Sequence, residues 1–192
     1  MTHTAVITRK GATPEKILQF VREYPNMVKR YRVIILRVGT NWLGTREEWR
    51  LYLRMVNSQI TEKEYEAQIW SMNPPSAKGE PEIFRQIYQN LIDLIRQLNP
   101  EAKILISSII PRLWDHARRN EVRMSYNAIL QNFSKQDKVY FIRSYKPFFD
   151  KSRNLKCWLF NQDGLHLSNE GAVVLRTCFC DRIDKALKGL LK

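Results

Sequence analysis

The stretch Val33-Ile-Ile-Leu-Arg-Val-Gly-Thr-Asn41 decides the fold. Five of its first six residues are apolar, and most of these are β-branched. A short run that is apolar on both faces is typical of a parallel strand covered by helices on both sides. The Gly-Thr-Asn that follows contains the residues that turns prefer. We therefore expect a buried parallel strand over residues 33–38 and a loop at its carboxyl end.

Three further runs have the same character, and helical patterns separate them. The apolar runs cover residues 104–110, 139–142 and, at the chain start, 4–8. The helices are predicted to begin at Thr13-Pro14, to cover 83–98 and 122–133, and to begin again near Ser168. Strands that alternate with helices imply right-handed crossovers and a parallel sheet. Residues 44–80 fit this α/β pattern least, and we interpret them as an elaboration of one or two helices.

Composition limits the class of protein. The chain has 192 residues, of which 44% are hydrophobic and 27% charged, as in one soluble globular domain. Its 32 Lys and Arg exceed its 19 Asp and Glu, which gives a net charge of +13. This balance favours an anionic partner such as nucleic acid or a membrane surface. An odd cysteine count, together with the lack of a signal-peptide pattern or a membrane-spanning apolar run, predicts an intracellular, cytoplasmic protein.

Candidate site residues follow the strands, because ligands of open α/β sheets bind outside the carboxyl ends of the strands. Asp163 precedes His166 by three residues, across Gly164. A carboxylate at this spacing can hold one imidazole nitrogen and leave the other as a general base. The alternative is a solvated loop that caps the following helix. Asn41 can present its amide to a developing oxyanion, or it can simply form the turn that ends its strand.

Three segments together resemble a known family. They are residues 33–41, Lys103-Ile-Leu-Ile-Ser-Ser-Ile-Ile-Pro-Arg112 and Asp163-Gly-Leu-His-Leu-Ser-Asn-Glu-Gly171. In this order they resemble the SGNH (GDSL-type) hydrolases, most of all the esterase-like domain of first-open-reading-frame proteins of non-LTR retrotransposons. The resemblance implies one domain over residues 1–192 with a flavodoxin-like, three-layer α/β/α fold. It also implies an ester substrate, acyl transfer through a serine, and no metal or organic cofactor.

The resemblance assigns four residues to the site. His166 becomes the general base and Asp163 its orienter, while Asn41 and the backbone N–H of Gly11 become oxyanion-hole donors. The family's nucleophile lies in a Gly-Asp-Ser sequence after a central first strand, and no Gly-Asp-Ser occurs in the 192 residues. No nucleophile is therefore assigned, and we expect an esterase that is inactive as written.

The missing block also affects the sheet. Without the family's first, central strand, we expect one strand fewer than the family's five. Either the strands at 4–8 and 33–38 pair directly, or the first becomes a loosely held edge. Ser107 and Ser108 lie near a strand end, and we expect them to form hydrogen bonds within the sheet rather than to replace the serine.

The basic residues support a second hypothesis. Lysine and arginine cluster at Lys29-Arg30 and at Arg118, Arg119 and Arg123, and aromatic residues alternate with cations over residues 145–158. Cations beside aromatic rings suit RNA or another single-stranded nucleic acid. The alternative is a solvated basic surface around core aromatics. The second hypothesis is therefore a nucleic-acid-binding or assembly module that keeps the hydrolase fold as a scaffold.

Overall fold

The computed structural model describes residues 4–7, 12–43, 46–72, 81–115 and 117–189. Its strands are β1 (Thr4–Ile7), β2 (Val33–Leu36), β3 (Lys103–Ser107) and β4 (Val139–Ile142). Its helices are α1 (Pro14–Glu23), α2 (Pro25–Lys29), α3 (Arg46–Val56), α4 (Glu62–Ser71), α5 (Pro81–Leu98), α6 (Ala117–Asn132) and α7 (Asn169–Leu187). None of the helices in these ranges is long and apolar enough to cross a membrane.

The four strands form one parallel sheet in the order β1-β2-β3-β4. β1 pairs directly with β2, with Ala5 opposite Ile34 and Ile7 opposite Leu36. Within the described ranges no other strand lies between them. The prediction of one strand fewer than five is confirmed, and the first strand both pairs with its successor and forms an edge.

The strand order places the crossover helices on one side of the sheet. Each right-handed connection steps in the same direction across the sheet, so the helices between strands fall on the same face. This face is apolar and packs against α1, α5 and α6; its sheet residues include Ile34, Leu36, Ile104 and Ile106. On the opposite face, α7 packs against Val33, Ile35, Leu105 and Ile142. The predicted three-layer α/β/α architecture is confirmed, and α7 forms the second helical layer over the described sheet.

Two helix starts agree with the sequence, whereas α5 and α6 begin two and five residues before their predicted bounds. Thr13 and Ser168 are the residues that precede α1 and α7, as predicted. In α5 the first residue of the predicted helix, Ile83, is 50% exposed. Phe84 and Tyr88 face the core instead, and the Tyr88 hydroxyl donates to the carbonyl oxygen of Val38 at 2.8 Å. The larger aromatic rings therefore set the rotation of this helix.

Within its described residues, 46–72, the elaboration forms two helices, α3 and α4, where one or two were predicted. Thr61 begins α4 with a capping box, in which its hydroxyl accepts from the Glu64 N–H and the Glu64 carboxylate accepts from the Thr61 N–H. The two helices share a small apolar cluster that Leu113 and Trp114 complete. Because these two residues belong to the segment after β3, the elaboration packs against the carboxyl end of the sheet.

Candidate active site

Asp163 and His166 form the centre of the candidate site. They lie in the turn that precedes α7, and His166 Nδ1 is 2.5 Å from Asp163 Oδ2. The other carboxylate oxygen of Asp163 accepts from the backbone N–H groups of Leu165 and His166, each at 2.9 Å. The carboxylate therefore closes the turn and holds the imidazole at the same time. The side chains of His166 and Asp163 are 68% and 28% exposed, so the ring reaches solvent while its partner is mostly covered.

The hydrogen bond between the two side chains is present, and the same exposed segment also caps the following helix. The N-cap of α7 is Ser168, whose hydroxyl accepts from the N–H of Gly171 at 3.1 Å. The Asp163 carboxylate therefore does not cap α7 and accepts hydrogen bonds within its own turn. Because a carboxylate accepts hydrogen bonds, Nδ1 of a neutral His166 carries the proton and Nε2 keeps its lone pair. This is the tautomer that a general base needs.

Local interactions keep Asp163 ionised. Burial alone would raise the pKa of its carboxyl group, but hydrogen bonds from the His166 ring and from the backbone of His166 and Leu165 outweigh burial. The pKa of Asp163 is therefore lower than usual. An ionised Asp163 can accept the hydrogen bond from the His166 ring.

Helix α3 contacts this turn through two aromatic side chains, and the sequence did not predict this contact. The indole Nε1 of Trp49 donates to the carbonyl oxygen of Asp163 at 3.2 Å. The ring of Tyr52 lies against Gly164, whose φ is +68°. The backbone N–H of Leu113 donates to the Gly164 carbonyl oxygen at 2.9 Å. Trp49 and Tyr52 are three residues apart, so both rings lie on one face of α3. This spacing is the sequence feature from which their shared contact with the turn could have been predicted.

Of the two predicted oxyanion donors, Asn41 lies within the described residues and Gly11 does not. Asn41 is exposed, and its Nδ2 donates to the carbonyl oxygen of Ala12 at 3.3 Å. Asn41 also belongs to a turn in which the Trp42 N–H donates to the Gly39 carbonyl oxygen at 2.9 Å. Gly11 lies outside the described residues. Asn41 thus lies beside the start of the segment that leads into α1, and no hydrogen bond joins it to His166.

The serines near the end of β3 form hydrogen bonds inside the fold. Ser107 and Ser108 are buried, and their hydroxyls lie 2.8 Å and 2.9 Å from the hydroxyl of Ser144. As predicted, both serines form hydrogen bonds inside the fold, and their partner Ser144 lies just beyond the end of β4. In the described part of the chain, no hydroxyl or thiol forms a hydrogen bond with His166. Over the same ranges, no three His, Cys, Asp or Glu side chains converge as metal ligands.

One predicted surface cation is buried. Arg123 is 1% exposed, and its Nε lies 3.7 Å from the carboxylate of Asp115. The assignment of Arg123 to a nucleic-acid surface is therefore wrong, because the protein interior covers its charge. The side chains of Arg118 and Arg119 lie outside the described residues.

Lys29 and Arg30 are exposed at the opposite end of the sheet. They line a groove of about 240 Å³ at the amino ends of the strands. Arg32, Lys103 and Lys138 add further positive charge to this groove. Its one carboxylate among the described residues, Glu101, pairs with Lys138 at 3.1 Å. We refer to this feature as the amino-end groove.

Known proteins resemble this chain in sequence profile and in fold. The sequence profile of the GDSL-like lipase/acylhydrolase family matches residues 5–174. No curated protein matches the chain. Solved structures with the same fold include a GDSL-like lipase from Bacteroides thetaiotaomicron, with 17% identity, 92% of this chain and 73% of that chain covered, and a TM-score of 0.59. A lipase from a goat rumen metagenome has 12% identity, coverage of 88% and 73%, and a TM-score of 0.59. A family 3 carbohydrate esterase from Talaromyces cellulolyticus has 14% identity, coverage of 94% and 70%, and a TM-score of 0.55.

Proposed function

Because this chain belongs to the GDSL-like lipase/acylhydrolase family, we propose that it carries an ester-hydrolase site in which His166 is the general base. Asp163 orients the ring and stabilises its charged form. The observation that carries this proposal is the 2.5 Å contact between Nδ1 of the exposed His166 and Asp163. The contact fixes the tautomer and directs Nε2 away from the carboxylate.

The chemistry is acyl transfer. Nε2 of His166 removes the proton from an attacking hydroxyl while the hydroxyl oxygen bonds to the ester carbonyl carbon. The imidazolium then gives that proton to the departing alkoxide, and water hydrolyses the acyl intermediate by the same route. An amide has two N–H groups, and Asn41 uses one for the carbonyl of Ala12. Its second N–H is the oxyanion donor in this proposal.

We propose that the 192-residue sequence does not complete this reaction by itself. The hydroxyls of Ser107 and Ser108 are buried, and both form hydrogen bonds with the buried hydroxyl of Ser144. The hydroxyl of Ser168 caps α7. When a triad lacks its nucleophile, oxyanion donors and binding leave a rate only about 10³–10⁴-fold above that of water.

Hydrolysis of p-nitrophenyl acetate tests both parts of the proposal. We expect a slow rate above buffer, no burst of p-nitrophenol, and no acylated protein by mass spectrometry. His166 can still take a proton from an attacking water, so His166→Ala should lower the slow rate without abolishing it, and Ser108→Ala should leave it unchanged. An acylated serine that disappears in His166→Ala would disprove inactivity but keep the role of His166. A slow rate that His166→Ala does not alter would disprove that role.

We also infer that the chain derives from a non-LTR retrotransposon first-open-reading-frame protein. This origin is supported by two sequence motifs, Ser107-Ser-Ile-Ile-Pro-Arg112 and Asp163-Gly-Leu-His-Leu-Ser168. Sequencing the genomic region downstream of the gene tests it. A reverse-transcriptase reading frame on the same strand is the expected result, and a single-copy gene without one would count against the inference.

The amino-end groove supports a second candidate function, the binding of single-stranded nucleic acid. Lys29 and Arg30 are exposed there, and lysines and arginines outnumber the single described carboxylate. Fluorescence anisotropy with a single-stranded RNA should give an affinity that falls as salt rises, because bound phosphates release counterions. The double variant Lys29→Ala/Arg30→Ala should reduce the slope of log K against log salt by about two. The control Lys16→Ala/Lys63→Ala removes the same charge from α1 and α4; an equal effect of both variants, or binding without salt dependence, would reject this candidate.

A further inference from the structure

A second pocket lies between α6 and the segment of residues 145–153. Its volume is about 530 Å³, within the range of small-molecule sites. Three of its lining side chains are cationic, namely Arg123, Lys146 and Arg153. Three others present apolar or aromatic surface, namely Met124, Tyr145 and Phe149. Neither Asp163 nor His166 lines it, so it is distinct from the proposed ester site.

Arg123 forms the floor of this pocket. Its guanidinium carbon lies 5.8 Å from the ring centroids of both Tyr145 and Phe149. Its Nη1 donates to the carbonyl oxygen of Ile109 at 3.3 Å, while its Nε has no hydrogen-bond acceptor. The aromatic rings and this guanidinium therefore meet at one wall, as in sites that hold flat or apolar groups beside a charge.

The counter-charge of Arg123 is shared. The carboxylate of Asp115 is 3.7 Å from Arg123 Nε. The same carboxylate accepts hydrogen bonds from Nε and Nη2 of Arg112, at 2.9 Å and 2.7 Å, and from its backbone N–H. Burial lowers the pKa of Arg123, and Asp115 opposes this effect. Since a buried charge is costly unless it is paired, an anion in the pocket would stabilise Arg123.

Exposed cations form the rim. Lys146 and Arg153 are both exposed beside the opening. Arg153 has a φ of +67°, a left-handed conformation in which glycine or asparagine is less strained. Its N–H donates to the carbonyl oxygen of Asp150 at 3.1 Å, and the Asp150 carboxylate accepts from the N–H of Asn154 at 2.8 Å. These bonds hold the loop so that an arginine occupies the rim.

We propose that this pocket binds an organic anion with one terminal carboxylate or phosphate group on an apolar or aromatic body. The anionic group meets the exposed rim cations Lys146 and Arg153, to whose positive potential the buried Arg123 adds, and the body packs against Met124, Tyr145 and Phe149. Both parts of the ligand are required, because the lining offers positive charge as well as apolar surface. The proposal does not depend on ester hydrolysis.

Isothermal titration calorimetry with four small probes tests the proposal. Benzoate and phenyl phosphate carry a ring and an anionic group, benzyl alcohol carries only the ring, and inorganic phosphate carries only the charge. We expect benzoate, phenyl phosphate or both to bind at least about tenfold more tightly than either single-feature probe. The tighter of the two identifies the anionic group. If neither binds more tightly than benzyl alcohol and inorganic phosphate, the proposal fails.

Variants of the exposed rim locate the binding without disturbing the core. Lys146→Ala/Arg153→Ala should weaken binding of the preferred probe at least about tenfold. The control Lys63→Ala/Lys151→Ala removes the same charge from side chains that do not line the pocket. Backbone amide shifts in NMR spectra should move in α6 and residues 145–153 when the probe is added. Equal affinities of the two double variants, or shifts elsewhere in the chain, would overturn the proposal.

Discussion

Gly164 joins the two residues of the candidate site, and its replacement by alanine tests how that turn is held. The φ of Gly164 is +68°, a region in which alanine costs about 1–2 kcal/mol more than glycine. A Cβ atom there would lie 2.6 Å from Cε1 and 2.8 Å from Cζ of Tyr52. Because the Tyr52 ring must move, overpacking adds about 1–3 kcal/mol. We expect Gly164→Ala to lower the free energy of unfolding by about 2–5 kcal/mol in all.

Urea denaturation measures this loss, and two comparisons separate its causes. Gly189 has a φ of +70°, and a Cβ atom there would meet nothing within 4 Å, so Gly189→Ala should cost only the conformational part. In a Tyr52→Leu background the ring is gone, and Gly164→Ala should then cost about as much as Gly189→Ala. Equal losses for the two glycine variants in the native background would refute the clash with Tyr52. An undiminished loss from Gly164→Ala in the Tyr52→Leu background would refute it as well.

Three further predictions concern the same region and its buried charges. Arg112→Met leaves Asp115 buried without its main partner, so we expect a loss of about 3 kcal/mol by urea denaturation; Arg85→Ala, which removes an exposed ion pair with Glu82, should leave the urea midpoint unchanged. Asp163→Asn should destabilise the protein near neutral pH. Since the folded pKa of Asp163 is lowered, its stabilisation is present above the unfolded pKa and is lost as pH falls through the folded pKa, so urea midpoints of variant and wild type should converge in acid. Trp49→Phe removes the hydrogen bond to the Asp163 carbonyl oxygen and should cost about 1 kcal/mol; an unchanged midpoint would show that this bond contributes nothing.

The strands could be predicted from local sequence, but their ends could not. The apolar run over 104–110 continues three residues beyond β3, which ends at Ser107. Ile109 remains buried, yet its N–H donates to Oδ1 of Asn127 on α6 instead of to a neighbouring strand. Apolar composition reports burial, and strand pairing also requires a neighbour at the right position. That neighbour is a property of the tertiary structure.

The candidate site likewise has one part that local sequence predicts and another that depends on the tertiary structure. Asp163 and His166 are three residues apart, so their hydrogen bond depends on one turn and could be predicted from spacing. The bond from Trp49 to Asp163 joins residues 114 positions apart, and it depends on how the elaboration packs. Arg123 was assigned to a nucleic-acid surface because it lies one turn after Arg118 and Arg119. Its burial depends on Asp115, a partner that spacing alone did not reveal.

The strand order has a consequence for how the protein is made. Because position in the sheet follows position in the chain, each strand can join the edge left by its predecessor as it leaves the ribosome. The turn that holds His166 follows β4, and it also needs Trp49 and Tyr52 from a helix made much earlier. The sheet can therefore assemble in step with synthesis, whereas the candidate site forms only after β4, when residues 163–166 reach α3. A nascent chain whose four strands have been made still lacks the Asp163–His166 pair.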